Sequence, residues 1–279
     1  MLTPFEKFLA ELEESFKKNP LVFHTVLANV FSMRVIGNKT HGDLAEIALT
    51  EYINQFLDDF SAKHTGKEKF RAKEFEEDIR VTDIETGQEI PISIKTYGEG
   101  PLQLSTNKDS SMFSYLKESI GENDVTEKHK IQGILKQTSF ASFSDTNVLP
   151  FIYNEKKMTF KVVVFNLRKA YDSTKIIKFF PPRKLGRKMT FPVYKFFDEK
   201  NGYMFEVRYG DAKANALQRG LWTNTKNANA YSYFRELLNG SYTINEPLIN
   251  LLSKILVSSE EKHKELFKLF PVSKRKSIL

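Results

Sequence analysis

The chain has 279 residues, no cysteine, and 42 Lys and Arg against 35 Asp and Glu, a net charge of +7. That length can bury one large core or two smaller ones. The lack of cysteine excludes disulfides and thiolate metal sites, and the positive surplus favours a polyanionic partner through phosphate neutralisation and counterion release. Residues Met1 to Phe16 mix Glu11, Glu13 and Glu14 with apolar side chains and contain no uninterrupted apolar stretch of a signal peptide. The longest apolar run, Val162 to Phe165, is strand-sized, far short of a membrane span. A soluble cytoplasmic protein with no membrane partner is expected.

Phe5, Phe8, Leu9, Leu12 and Phe16 recur at helical spacing and predict a helix over 3–18. Asn19-Pro20 breaks it, and a second helix follows to about Val35. After a loop at 37–42, Thr40 or Asp43 caps a third helix that runs to about Ala62, with Leu49, Ile53, Phe56 and Phe60 as one stripe. Glu46 falls on that stripe one turn before Leu49, so it should sit at the edge of the core. A polar linker, Lys63 to Glu74, leads into a hairpin over 77–95. Gly98 to Pro101 then turns the chain, and the polar run Ser105 to Ser111 caps a helix that starts near Met112 and continues patchily to Lys136. Lys161 to Phe165 reads as a strand buried on both faces. Further strands are expected over 176–180, 191–197 and 203–209, and helices over 230–238, 246–257 and 260–270 before a basic tail at 274–276. There is no internal repeat. Helices, then mixed strands, then helices suggest an α/β or α+β domain with a C-terminal helical and loop extension.

The hairpin carries the chemistry. With Thr86-Gly87 as a two-residue turn, Asp78 faces Lys95, Arg80 faces Ser93 and Thr82 faces Pro91. Alternation then puts Asp78, Arg80, Ser93 and Lys95 on one face, and Ile79, Val81, Ile90, Ile92 and Ile94 on the other. Hydrolysis of a phosphodiester needs a hard cation, and Mg²⁺ takes one or two carboxylates with several waters. Asp78 suits the principal ligand, the Ile94 backbone carbonyl a second oxygen, and Glu46 an accessory acid acting through water. Lys95 suits charge stabilisation near the scissile phosphate and orientation of the attacking water. A plain cross-strand ion pair on a solvated face is the bland alternative for Asp78 and Lys95. Glu76 and Glu77 are rival ligands, and Asp83 reads as a turn residue. His24, His41, His64, His129 and His263 show no zinc-ligand spacing.

In order, a helix with Glu46, a strand opened by Asp78, and Ser93-Ile94-Lys95 on the next strand resemble the PD-(D/E)xK nuclease superfamily, particularly type II restriction endonucleases. The resemblance spans roughly residues 40 to 110 and extends to the strand at 161–165. No proline precedes Asp78, and Ser93 stands where that family usually has Asp or Glu. The MspI-like members also carry a neutral polar residue there, and their Pro-Leu-Asn-Ile-Lys stretch is similar to Pro91-Ile92-Ser93-Ile94-Lys95. The resemblance implies a mixed central sheet flanked by helices and Mg²⁺-dependent cleavage of double-stranded DNA at a short specific sequence, leaving 5′-phosphates. It also implies a prokaryotic restriction-modification system with a paired DNA methyltransferase, and an enzyme acting as a monomer or homodimer. Ser93 is then a hydrogen bonder to the ligand set.

DNA contacts are expected after the hairpin and in the basic C-terminal half. Thr96, Gln103, Thr106, Asn107 and Lys108 offer phosphate-contacting groups, as do Arg183, Lys184, Arg187 and Lys188. Arg219, Trp222, Asn224, Lys226, Asn227 and Asn229 form a run rich in base-reading side chains. The expected division is a nuclease core over 1–200 and a recognition region over 201–279, packed as one compact unit. A non-catalytic nucleic-acid-binding protein, or a repair or transposition nuclease of the same fold, are the competing readings.

Overall fold

The computed structural model describes residues 2–36, 40–65, 77–98, 101–105, 112–144, 147–185, 188–208, 220–224 and 234–256. Three N-terminal helices come first: α1 Pro4–Lys18, α2 Pro20–Ile36 and α3 Thr40–Phe56. A reciprocal cap starts α1: Glu6 N–H donates to Thr3 Oγ1 at 3.2 Å and Thr3 N–H to Glu6 Oε2 at 2.9 Å. The predicted apolar stripes face inward, with Phe8, Leu12, Phe16, Phe23, Leu27, Leu49 and Ile53 all buried.

The third helix ends earlier than its stripe predicts. Glu11 Oε1 accepts the N–H groups of Asp58 at 2.7 Å and Asp59 at 3.2 Å, which holds the chain off the helical path. Phe60–His64 is then a strand, β1. Phe60 continues the helical spacing of Phe56 by coincidence; its burial with Phe8 comes from the sheet instead. Next come β2 Ile79–Asp83, β3 Glu89–Gly98 and β4 Pro101–Ser105. Three short helices follow, α4 Met112–Ile120, α5 Lys128–Leu135 and α6 Thr138–Ser144. Strands β5 Asn147–Asn154 and β6 Thr159–Asn166 lead to α7 Leu167–Ser173. The remainder is β7 Ile176–Phe180, the two-residue β8 Lys184–Leu185 and β9 Lys188–Met189, β10 Val193–Phe197, β11 Tyr203–Arg208, β12 Gly220–Asn224, β13 Phe234–Ser241 and α8 Glu246–Leu256.

The fold is α/β. A six-stranded central sheet runs β1-β2-β3-β5-β6-β13, in which β3 and β5 are parallel and every other pair antiparallel. One face carries Ile79, Val81, Ile92, Ile94 and Phe151 against α1, α2 and α3. The other carries Val148, Ile152, Val163 and Phe165 against α4 to α7 and a second, antiparallel sheet ordered β4-β12-β11-β10-β7. Val162 to Phe165 are thus buried on both faces, as the β-branched run predicts, whereas Lys161 at the head of that run is half exposed. Strand β5 escapes prediction because Pro150 interrupts its apolar run. That proline is tolerated where the pairing of β5 with β6 lapses between Val148 and Phe151.

Two further expectations are corrected. Of the helix expected over 230–238, the described part, 234–238, is not helical: Phe234–Ser241 is the edge strand β13, whose Leu238 pairs with Val162. The spacing of apolar residues there fits either period, and pairing with an exposed strand edge decides it. The hairpin also has a longer turn than Thr86-Gly87 alone. Asp83 Oδ1 accepts Thr86 N–H at 2.9 Å, Gly87 N–H donates to Asp83 O at 2.8 Å, and Gly87 sits at φ +68. This moves the register by two residues: Arg80 faces Pro91 and Thr82 faces Glu89. A shift of two preserves which side chains share a face. The 201–279 stretch spans both sheets, giving β11 and β12 to the second and β13 to the first.

Candidate active site

Asp78 stands just before β2, at the point where β2 leaves β3. Its N–H donates to Ile92 O at 2.9 Å, and its carbonyl accepts Thr65 N–H at 3.1 Å and Thr65 Oγ1 at 2.8 Å. With the main chain held on both sides, the carboxylate turns toward β3. Its Oδ2 accepts Ser93 Oγ–H at 3.0 Å and Ile94 N–H at 2.6 Å. Lys95 Nζ lies 3.9 Å from the same oxygen, beyond direct hydrogen-bond length. Asp78 and Lys95 both keep some exposure, 14% and 22%, whereas Ser93 is fully buried. The N–H and C=O of one strand residue point to the same side. The Ile94 carbonyl therefore faces the Asp78 side, beyond the last β2 pair at Ile79 and Ile92.

Glu46 reaches the same end of the sheet from α3. Its Oε2 lies 2.9 Å from His64 Nε2, within hydrogen-bond distance, at the end of β1. Burial raises the Glu46 carboxyl above its ordinary range, and repulsion from the Asp78 carboxylate adds to the rise; the His64 contact opposes both. The hairpin brings Asp78, Ser93, Ile94 and Lys95 together, and Glu46 approaches the same end of the sheet through His64, whose strand partner Ile79 follows Asp78. His64 is the residue that the sequence reading misses. The signal that could reveal it is alternation: Phe60, Ala62 and His64 share one face of a five-residue strand that the helical stripe obscures.

Two carboxylates that repel one another in a part-buried setting suit a divalent cation, and Ser93 and Ile94 hold one of them in place. The donor set is all oxygen, which fits Mg²⁺ with retained waters. Asp78, the Ile94 carbonyl and Glu46 are the groups that would hold it. Among the described residues, no cluster of three or more His, Asp or Glu side chains is arranged for a metal, so a denser carboxylate cage is absent there.

The other predicted residues divide clearly. Glu77 is buried and pairs with Arg80 at 2.5 Å, and Arg80 also pairs with Glu89 at 2.9 Å. Asp83 is a turn residue, as expected, with Lys7 Nζ 3.6 Å away. Thr96 does not share the face of Lys95, and its hydroxyl is buried with no hydrogen-bond partner among the described residues, a poor position for a phosphate contact. Arg183 and Lys184 are exposed beside β7. Gln103 lies on β4, Trp222 and Asn224 on β12, and Lys188 on β9. Glu76, Thr106, Asn107, Lys108, Arg187, Arg219, Lys226, Asn227 and Asn229 lie outside the described residues.

No protein-family model matches this sequence, and no curated protein matches it either.

Proposed function

We propose that this protein is a Mg²⁺-dependent, site-specific endonuclease of double-stranded DNA, built on the PD-(D/E)xK plan and acting as a type II restriction enzyme beside a DNA methyltransferase. The observation that carries the reading is the meeting of Asp78 and Lys95 across adjacent strands, 3.9 Å apart, with Glu46 arriving from α3. The mixed sheet with helices on its faces is compatible with that plan.

The reaction adds water to a phosphodiester phosphorus and expels the 3′ oxygen, which takes up a proton; the products are a 5′-phosphate and a 3′-hydroxyl. Asp78, the Ile94 carbonyl and Glu46 would hold Mg²⁺, which when bound lowers the charge barrier at the phosphate. Lys95 places an ammonium beside the scissile group, where it stabilises the extra negative charge of the transition state and orients the incoming water. Ser93 is too poor a ligand for a hard dication; it fixes Asp78 by donating to it. His64 fixes Glu46.

One observation favours a rival, a nucleic-acid-binding protein without catalysis: the position that bears a second acid in the family it resembles is Ser93. Incubation with plasmid and with linear duplex DNA, with and without Mg²⁺, separates the two. Discrete fragments only with Mg²⁺ support the enzyme; retention of DNA with no cutting supports the rival. Nicking or junction cutting in place of discrete fragments points to a repair or transposition nuclease.

A further inference from the structure

We infer that the outer face of the second sheet, across β7, β10 and β11, is a surface that takes the phosphate backbone of duplex DNA; this rests on the nuclease reading for its occupant. The inner face of this sheet packs Ile177, Tyr194, Phe196, Phe205 and Val207 into the core. Alternation turns Lys178, Phe180, Lys195 and Phe197 outward, and a bulge in β11 brings Tyr203 opposite Phe197 on the same side.

Three half-buried rings form a row, with centroids of Phe180 and Phe197 6.5 Å apart and those of Phe197 and Tyr203 6.3 Å apart. Cations are seated on this row. Lys195 Nζ lies 4.7 Å from the Phe180 centroid and 5.7 Å from that of Tyr203, and Lys178 Nζ lies 5.6 Å from that of Phe197. Arg183 approaches Phe180 at 6.0 Å. Seating on rings limits the freedom of these long side chains, so less entropy is given up when they meet an anion. Arg208 adds a half-exposed cation opposite Val193. The acid facing Lys195 is Glu206, which is buried, lies 3.9 Å from Lys195 Nζ and is paired with Arg208, one negative charge against the three of Lys178, Lys195 and Arg208. The outward charge of these strands is therefore positive.

A positive surface fixed in place complements a regular anionic chain. Chain continuity argues for DNA as that chain. Only Glu99 and Gly100 separate β3, which carries Lys95, from β4, the edge strand of this sheet. By register Gln103 is opposite Trp222, and Trp222 opposite Glu206.

The test uses the full-length protein and a labelled duplex in EDTA, so that nothing is cut, with affinity followed against salt by anisotropy. The variant combines Lys178→Gln, Lys195→Gln and Arg208→Gln. Removing one cation that neutralises a phosphate lowers the slope of log K against log salt by roughly 0.9. The expected result is a slope lower by about two to three and at least a tenfold loss of affinity near 0.1 M salt. Lys17→Gln with Lys18→Gln, on exposed α1 positions, should leave both unchanged. Should the triple variant fail to fold, Lys178→Gln and Lys195→Gln singly are each expected to lower the slope by about one. Wild-type affinity and slope in these variants overturn the inference, as does equal displacement of the duplex by polyglutamate. A wild type that binds through this face but never cuts leaves the surface standing and removes only the nuclease reading.

Discussion

The Ser93 hydroxyl donates to Asp78 Oδ2 at 3.0 Å, beside the Ile94 N–H at 2.6 Å. The serine is buried, so its bond to a carboxylate has no solvent substitute. A hydrogen bond to a charged group is worth roughly 1.5–3 kcal/mol. Ser93→Ala is therefore expected to lower unfolding free energy by about that amount in urea titration and to slow cleavage without abolishing it, because Ile94 still holds the carboxylate. Full wild-type stability in this variant contradicts the assigned role.

Glu46 gives a pH signature. Its folded carboxyl binds a proton more tightly than the unfolded one, since burial and Asp78 both disfavour the charge. The folded state then carries more protons, and metal-free stability falls as pH rises from the ordinary glutamate range through the raised folded value. Below that range the penalty is absent. Glu46→Gln should remove this contribution to the slope and raise the melting temperature in EDTA at neutral pH. It should also shrink the stabilisation that Mg²⁺ gives the wild type. A variant that melts lower in EDTA, with its full Mg²⁺ response intact, refutes the cation site.

His64 tests the site from the side that the sequence does not announce. Removing a group that orients a metal ligand typically costs 10–100-fold in metal affinity. His64→Ala is expected to raise the Ca²⁺ or Mg²⁺ dissociation constant by about tenfold in calorimetry, with His64→Gln intermediate because its amide can still reach the carboxylate. Unchanged metal binding in both variants removes His64 from the site.

The parts legible in the sequence are those set by a single local period. The stripe of α1, the burial of Val162 to Phe165 on both faces and the parity of the hairpin are all present as predicted. Parity is the reason Asp78, Ser93 and Lys95 fall together although the turn is longer than predicted; Asp83 and Gly87 set the actual register through hydrogen bonds that alternation alone does not reveal. The failures lie where tertiary context overrides pattern. Phe60 keeps a helical interval from Phe56, yet Glu11 from α1 accepts the N–H groups of Asp58 and Asp59 just past the helix and leads the chain into β1, and His64 is hidden with it. Residues 234–238 look helical until the edge of β6 offers partners. The row formed by Phe180, Phe197 and Tyr203 joins three strands across a bulge and has no contiguous trace in the chain.

The most direct measurement compares plasmid cleavage and duplex retention in Mg²⁺ for the wild type, Asp78→Asn and Lys95→Ala. Asparagine keeps an oxygen to accept from Ser93 and Ile94, so Asp78→Asn should fold while losing the charge that a dication needs. Both variants are expected to hold DNA yet show no cutting, a loss of at least a thousandfold, or about 4 kcal/mol of transition-state stabilisation. Cleavage by Lys95→Ala at the wild-type rate would contradict the claim that the Asp78 and Lys95 pair does the chemistry.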